Sequence, residues 1–390
     1  MNTISFDNTE IAFRSNDKAD LNRAYWLFKI ISINFLVKLG QPFVRAAIAL
    51  QLPIKGIIKA TVFGHFCGGE NITDCERTLA ELSKFNIGTI LDYSVEGHES
   101  EKDFDAAVKE TLATIHRAKG DSRIPFSVFK VTGMARFAML EKISAMESLT
   151  SQEEIEFQKI KERVNTICKL AYESNVPVFI DAEETWIQQA IDDLANNMMT
   201  LYNKQKAIVY NTFQFYRKDR LQYLKDSFAA TEKGNYFLGA KLVRGAYMEK
   251  ERKRAMEMNY PSPIQSTKND TDKDYDDALE FCIEHIDRIA ICAGTHNEKS
   301  SLHLAQLMQN KNIFPSHTGI YFSQLLGMSD HISYNLANAG YNVAKYVPYG
   351  PVEAVLPYLF RRAEENTSIA GQMGRELSLI LKERRRRQFE

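Results

Sequence analysis

The sequence predicts an α/β fold, a distorted (βα)8 TIM-like barrel that carries an N-terminal helical extension. Two observations lead to this prediction: from residue 85 onward short β-rich runs alternate with longer helical patterns, and there are eight such runs. This alternation is typical of parallel βαβ units, and eight units suffice to close a barrel. We expect a helical arm at 1–84, the barrel at 85–370 and a basic C-terminal tail at 371–390.

Each predicted strand is a short apolar, β-branched run, as expected of strands buried on both faces. The runs are 87–93, 126–132, 176–182, 207–213, 237–243, 289–293, 319–325 and 342–347. The helical patterns are 102–119, 151–174, 185–203, 275–287, 300–309 and, after the last run, 352–365. A doubly wound open sheet is the alternative, but neither its GxGxxG fingerprint nor a GxxxxGK[ST] loop is present.

The composition is that of an ordinary globular protein. The 390 residues are 44% hydrophobic, and 49 Lys and Arg against 50 Asp and Glu give a net charge of -1. This excludes a disordered chain and a global basic field for nucleic acid. The five cysteines are odd in number and form no CxxC, which indicates reduced thiols and neither a zinc site nor a disulfide framework.

The N-terminal region raises the question of membranes. The first ten residues resemble neither a secretory signal nor, because acids come early, a mitochondrial transit peptide. The apolar stretch 25–37 contains Lys29 and is shorter than the ~20 residues that span a bilayer. Over 25–60 the sequence is compatible with a helical arm packed on the protein, which we favour, or with a basic surface lying on a membrane.

Polar side chains gather where the predicted strands end, which is where barrel enzymes carry their chemistry. Polar groups in apolar strands cost free energy unless they are paired, so their repetition at one end indicates a site. The residues are Asp92, Glu96, Lys130, Asp181, Glu183, Glu184, Gln214, Lys241, Arg244, Tyr247, Thr295, His296, Asn297, Gln324 and Tyr346.

The last helical pattern places Tyr358, Arg361, Arg362 and Glu365 on one face. Two adjacent guanidiniums are suited to a carboxylate or phosphate, because each binds it with two hydrogen bonds. A solvent-facing Arg–Glu pair is the alternative. The histidines lack metal-ligand spacing, so no metal site is expected. The arginine run 384–387 is either a solvated tail or a contact for anionic lipid.

At these residues the sequence resembles the proline dehydrogenase (proline oxidase) family, over roughly residues 60–370. Six ordered blocks carry the resemblance: VFIDAEET (178–185), YNTFQFYRKD (210–219), GAKLVRGAYMEKER (239–252), CAGTHNE (292–298), YFSQLLGMSD (321–330) and YVPYGPVEAVLPYLFRRAEEN (346–366).

The resemblance implies a distorted (βα)8 barrel that holds FAD without a Rossmann motif. It implies oxidation of L-proline to Δ1-pyrroline-5-carboxylate, by hydride transfer from the ring carbon next to nitrogen to flavin N5. A membrane quinone would reoxidise the flavin. A separate pyrroline-5-carboxylate dehydrogenase would take the product, because the chain contains no aldehyde-dehydrogenase-like half.

The resemblance also assigns residue roles. Lys130, Arg361 and Arg362 resemble the cations that hold the proline carboxylate, and Asp181, Tyr247, Tyr346 and Tyr358 resemble the residues around the ring. Asp92 and Glu96 resemble an acidic gate. The flavin contacts it implies are Asp181, Gln214, Lys241, Val243, Arg244, Gly245, Ala246, Thr295, His296, Asn297 and Glu365.

Two positions bear on chemistry and substrate. Many bacterial members carry Arg where this chain has Lys241, which keeps the cation beside the flavin but not the bidentate geometry. A bulky Tyr346 resembles proline-specific members, which favours proline over hydroxyproline. The alternatives are a hydroxyproline dehydrogenase, a non-flavin barrel lyase or aldolase that uses Lys130 or Lys241, and a non-catalytic barrel. A bacterial cytoplasmic enzyme that touches the inner membrane is favoured over a mitochondrial one.

Overall fold

The computed structural model of the chain describes residues 4–31, 44, 50, 53–95, 99–368 and 372–388, and within them the side chains outside 363–373. The chain divides into two compact units. A terminal unit comprises residues 1–96 and 324–390, and a central unit comprises residues 97–323.

The elements alternate as the sequence predicts. The strands are β1 (Ile87–Tyr93), β2 (Phe126–Lys130), β3 (Val178–Asp181), β4 (Val209–Gln214), β5 (Leu238–Val243), β6 (Ile289–Gly294), β7 (Ile320–Leu325) and β8 (Val343–Tyr349). The described helices before β4 are α1 (Thr9–Ala12), α2 (Lys18–Ile31), α3 (Lys55–Ile58), α4 (Gly64–Phe66), α5 (Glu76–Ser83), α6 (Glu101–Ala118), α7 (Phe137–Ser144), α8 (Ser151–Ser174) and α9 (Thr185–Tyr202). Those after β4 are α10 (Arg220–Gly234), α11 (Met248–Glu257), α12 (Lys268–Glu284), α13 (Glu298–Asn310), α14 (Asp330–Asn338), α15 (Leu356–Ser368) and α16 (Gln372–Arg386). A π-helical turn (Lys59–Phe63) joins α3 to α4, and a 3-10 turn (Val131–Gly133) follows β2.

The eight strands close a parallel barrel in the order β1 to β8, which confirms the predicted fold class. In the central unit the β2–β3 register pairs Lys130 with Asp181, and in the terminal unit the β1–β8 register pairs Ile90 with Tyr346. The β2–β3 register therefore brings together two polar residues that end their strands.

Local chemistry explains why the element boundaries were readable from the sequence. Thr150 and Glu153 form a reciprocal capping box at the start of α8, and Asn175, with a φ of 55°, ends that helix in the left-handed region. The predicted bounds 87–93 for β1 and 151–174 for α8 are those observed. The short helix α7 and helices α10, α11, α14 and α16 were not predicted individually.

The terminal unit has an apolar core of its own that includes the N-terminal arm. Leu21, Ala24 and Phe28 of α2 are buried with Leu379 and Ile380 of α16. For the described part of the arm this confirms packing against the protein. Within the stretch 25–60, residues 32–43, 45–49 and 51–52 lie outside the described residues. In the described part of the chain, every helix is too short or too polar to serve as a membrane span.

Candidate functional site

A carboxylate shared by two ammonium groups lies at the strand ends of the central unit. The Nζ of Lys241 on β5 is 2.6 Å from Oδ1 of Asp181, the last residue of β3. The Nζ of Lys130, the last residue of β2, is 3.9 Å from Oδ2 of the same carboxylate. Lys241 also lies over the ring of Phe179, 5.6 Å from its centroid. Fixed cations at the strand ends suit an anionic ligand.

A contact between Glu183 and Thr132 continues the pairing of β2 with β3 beyond the ends of the strands. Its Oε1 accepts the backbone N–H of Thr132 at 3.0 Å, and its Oε2 accepts the Thr132 hydroxyl. Thr132 stands two residues after Lys130, as Glu183 does after Asp181, so the contact fixes the turn that follows Lys130. Burial raises the pKa of the Glu183 carboxyl to about 7, although the Thr132 hydrogen bonds and Lys130 favour its ionised form.

The flavin residues implied on β4 and β5 are linked to this cluster. Gln214 donates its side-chain N–H to the carbonyl of Glu183 at 2.7 Å. The carbonyl of Val243 accepts the N–H of Phe215, which extends the pairing of β4 with β5. Gly245 has a φ of 128°, and a Cβ there would lie 2.5 Å from the Tyr216 ring, so only glycine fits. Ala246 next to it is exposed.

Arg244 is bound by protein groups on three sides. Its Nε donates to Asp272 and its two terminal nitrogens donate to Thr295 and Ser300, at 2.7 to 2.9 Å. The guanidinium lies over Tyr275, 4.3 Å from the ring centroid. These contacts indicate that Arg244 secures the turns after β5 and β6, so its predicted contact with the flavin rests on the resemblance alone.

The turn after β6 carries the other predicted flavin residues of the central unit. Asn297 caps α13 by accepting the N–H groups of Lys299 and Ser300, and Thr295 is buried against Arg244. His296 stands between them, half-buried. Tyr247 is half-buried too, and directly precedes α11.

The terminal unit holds the predicted substrate residues of β8 and α15. Tyr346 and Tyr358 are buried, and so is Arg362, whose guanidinium lies over the Tyr358 ring at 5.0 Å. Arg361 is half-buried. Asp92 on β1 is buried and accepts the Ser94 hydroxyl at 2.7 Å. Of the remaining predictions, Glu96 lies outside the described residues, and the side chain of Glu365 is not described.

A buried network of hydrogen bonds and one ion pair connects Glu183 to Arg220. The N–H of Glu183 donates to Gln188, whose side chain donates to Asp192. Asp192 is buried and forms an ion pair of 2.5 Å with Arg220. Because every step lies in the interior, the network resists displacement of the end of β3.

Sequence reasoning missed several residues with structural consequences for the site. Glu183 follows a strand end, and its spacing from Asp181 matches that of Thr132 from Lys130, which is a local signal for their contact. Lys345, a charged residue inside an apolar strand, is a second such signal. Glu376 carried no signal, because its partner lies far away in the sequence. No cluster of metal ligands occurs among the described residues.

The cysteines and the C-terminal arginines are also placed. All five cysteines are free and buried, and burial raises the pKa of the Cys75 thiol to about 12. The solvated-tail interpretation is wrong for Arg387, which donates to the carbonyls of Phe13 and Asn16. Arg386 and Arg387 also pair with the buried Glu383, and Arg384 lies over Tyr25.

Comparison with known proteins decides the family. The model of the family described as "Proline dehydrogenase" matches residues 75–375. The chain belongs to the proline dehydrogenase family. It is therefore an oxidoreductase that acts on proline, as the resemblance implied.

The chain is also similar to individual proteins from distant organisms. The chain is 33% identical to the mitochondrial proline dehydrogenase 1 of Dictyostelium discoideum, over 100% of this chain and 76% of that protein. It is 34% identical to the carbapenem antibiotics biosynthesis protein CarD of Pectobacterium carotovorum, over 85% of this chain and 86% of that protein.

The fold also matches that of solved structures. The structure of proline utilization A from Bdellovibrio bacteriovorus superposes with a TM-score of 0.72 at 18% identity. The match covers 96% of this chain and 40% of that one, so this chain spans about two fifths of the larger protein.

Proposed function

We propose that this protein oxidises L-proline to Δ1-pyrroline-5-carboxylate with FAD as the acceptor. The observation that carries the proposal is the Asp181 carboxylate flanked by Lys241 and Lys130 at the ends of β3, β5 and β2. Proline has a carboxylate, and its oxidation removes a hydride from the ring carbon bonded to nitrogen. A site for this chemistry needs fixed cations, one for the substrate anion and one beside the acceptor.

The substrate carboxylate is assigned to Lys130, whose side chain is about one quarter exposed and so accessible to a ligand. Asp181 orients Lys130 from 3.9 Å and contacts Lys241 at 2.6 Å. Arg361 and Arg362 stay predictions for the carboxylate, and Tyr247, Tyr346 and Tyr358 stay predictions for the ring. Asp92 and Glu96 stay predictions for the gate.

The residues of the central unit fit a flavin. Lys241 supplies a buried cation. At Gly245 no side chain fits, so the backbone is uncovered there. Gln214 retains its amide oxygen as an acceptor while its N–H is bound to Glu183. When FAD is bound, it supplies the two-electron acceptor. Val243, Ala246, Thr295, His296, Asn297 and Glu365 complete the proposed contacts.

The aldolase alternative does not suit Lys241. A Schiff-base lysine must present its nitrogen to a carbonyl carbon, whereas the Nζ of Lys241 is held by Oδ1 of Asp181 at 2.6 Å. Hydroxyproline remains the competing substrate. Replacing Tyr346 by Ser opens space for a 4-hydroxyl, and we expect it to raise the ratio of kcat/KM for hydroxyproline over proline. An unchanged ratio would remove Tyr346 from the account of specificity.

We assign reoxidation to a membrane quinone and the product to a separate pyrroline-5-carboxylate dehydrogenase, in a cytoplasmic enzyme peripheral on a membrane. A surface that suits this is one face of α2, where Trp26 and Ile30 are 56% and 52% exposed. Lys29 lies over the Trp26 ring, so the face joins apolar and cationic groups. Trp26→Ser should weaken co-sedimentation with vesicles of anionic lipid, and equal binding would remove this face from the account.

The proposed function is tested by the visible spectrum of the purified protein. We expect a yellow protein whose flavin absorbance bleaches when L-proline is added without oxygen. Bleaching by hydroxyproline alone would keep the flavin and overturn the substrate. A colourless protein that takes up no added FAD would contradict the proposal as a whole.

A further inference from the structure

The loop between β7 and α14, residues 326–329, contains a serine in a backbone conformation that serine does not favour. Gly327 has a φ of 73°, and Ser329, which precedes α14, has a φ of 52°. A left-handed serine costs about 1–2 kcal/mol and persists only where surrounding contacts enforce it. Residues held in such a backbone conformation cluster at active sites and at ligand-binding positions.

Strand β8 holds this loop from one side. The Nζ of Lys345 donates to the carbonyls of Met328 at 2.5 Å and Leu325 at 3.3 Å, and to Asp330 at 2.7 Å. The N–H of Leu326 donates to the carbonyl of Tyr346 at 2.8 Å. The loop is thus joined to Tyr346 directly and through the residue before it, so displacement of the loop changes the position of Tyr346.

Helix α16 holds the loop from the other side. The buried carboxylate of Glu376 accepts the N–H of Ser329 at 2.6 Å and lies 3.8 Å from Nδ1 of His331. The far end of α16 is anchored to the arm, where Arg387 donates to the carbonyls of Asn16 and Phe13. Lys382 adds a bond to the carbonyl of Asp7. An anchored helix can transmit a fixed position to the loop.

We propose that Glu376 is a positioning residue for Tyr346, so that the C-terminal helix takes part in substrate selection. The carboxylate fixes Ser329, Ser329 fixes the loop, and the loop fixes the backbone of Tyr346. This inference rests on the proposed function, in which Tyr346 excludes a 4-hydroxyl from the ring site. It gives the C-terminal helix a role in selection where the sequence indicated only a basic tail.

The test measures kcat/KM for L-proline and trans-4-hydroxy-L-proline in the FAD-loaded enzyme. Glu376→Leu removes the acceptor of the Ser329 N–H, and we expect the preference for proline to fall about threefold to tenfold, the effect of one buried hydrogen bond. Glu376→Gln keeps an acceptor oxygen and should stay within about twofold of the wild type. Arg385→Ala, on an exposed position of the same helix, is the control. Where Glu376→Leu does not fold, Glu376→Ala replaces it.

The decisive comparison places Glu376→Leu in a Tyr346→Ser background. If Glu376 acts through Tyr346, its effect on the preference disappears there. Equal effects in both backgrounds, or loss of stability and FAD content with an unchanged preference, would overturn the inference. Bleaching by proline together with no effect of Tyr346→Ser would overturn it while leaving the proposed activity intact. Failure of bleaching in the wild type would instead contradict the proposed function.

Discussion

Two buried lysines on barrel strands have different surroundings. Lys345 on β8 is 0% exposed, and its ammonium donates to two loop carbonyls and to Asp330. Lys241 on β5 is 6% exposed, and its ammonium contacts Asp181 over the face of Phe179. Asp181 has a second cation, Lys130, at 3.9 Å.

The difference lies in the groups that each ammonium contacts. Lys345 donates to two backbone carbonyls of a loop as well as to Asp330, which is the arrangement of a structural contact. Lys241 contacts Asp181, the last residue of β3, at the strand ends where barrel enzymes carry their chemistry. Similar burial thus accompanies two roles, and the contacts of each lysine separate them.

The largest expected effect comes from removing the cation on β5. Lys241→Met should lower the rate of flavin reduction by proline about a hundredfold to a thousandfold, the usual cost of losing a fixed charge beside developing charge. Lys241→Arg keeps the cation and the contact with Asp181, and should stay within about tenfold. Anaerobic stopped-flow absorbance measures both. A similar loss in both variants would show that lysine geometry, and not charge, matters.

The same substitution on β8 should act on stability. Lys345→Met leaves two loop carbonyls and Asp330 without their donor, and we expect the free energy of unfolding to fall by about 3 kcal/mol. Denaturant unfolding of the FAD-loaded protein measures it. The rate of flavin reduction in the folded fraction should stay within about tenfold of the wild type, since the loop backbone relaxes only in part. A loss as large as that of Lys241→Met would erase the distinction between the two lysines.

The sequence was informative where the chemistry is local. Alternating runs predicted the strands and α8, and Lys130, Asp181 and Lys241 were found because each interrupts or ends an apolar strand. The bond between Glu376 and Ser329 joins residues 47 positions apart, so no local pattern could predict it. The raised pKa of Glu183 could not be predicted from the sequence either, because its cause is burial, which is a property of the folded chain.

The raised pKa of Glu183 predicts that the stability of the fold depends on pH. This carboxyl has a pKa of about 7 in the folded chain and 4.5 ordinarily. As pH rises from 4.5 to 7 the carboxyl therefore ionises more readily in the unfolded chain, and the free energy of unfolding falls. Lys130 and Glu184 face it and have opposite effects. As pH rises from 5 to 8, Glu183→Gln should gain up to about 3 kcal/mol of unfolding free energy relative to the wild type.

The control for this experiment is Glu232→Gln, at an exposed position on α10. Its unfolding free energy should follow that of the wild type across the same pH range. A pH-independent difference between Glu183→Gln and the wild type would show that Glu183 ionises normally in the folded protein.

The smallest expected effect concerns the C-terminal helix. Arg387→Ala removes two bonds to backbone carbonyls of the arm and one contact with Glu383, and should cost about 1–2 kcal/mol of stability. Thermal unfolding measures it, with exposed Arg385→Ala as the matched control. If both variants unfold at the wild-type temperature, the arginine run contributes nothing to the anchoring of α16.

The central claim is that Lys130, which lies beside Asp181, binds the substrate anion. The most direct measurement is the Kd of tetrahydro-2-furoate, a proline analogue with oxygen in place of nitrogen, followed by the flavin absorbance. Lys130→Met should weaken binding about tenfold to a hundredfold, as expected for a lost charge-assisted hydrogen bond, and Lys345→Met should change it less than threefold. Equal affinity of Lys130→Met and the wild type would contradict the account, because the substrate anion would then be held elsewhere.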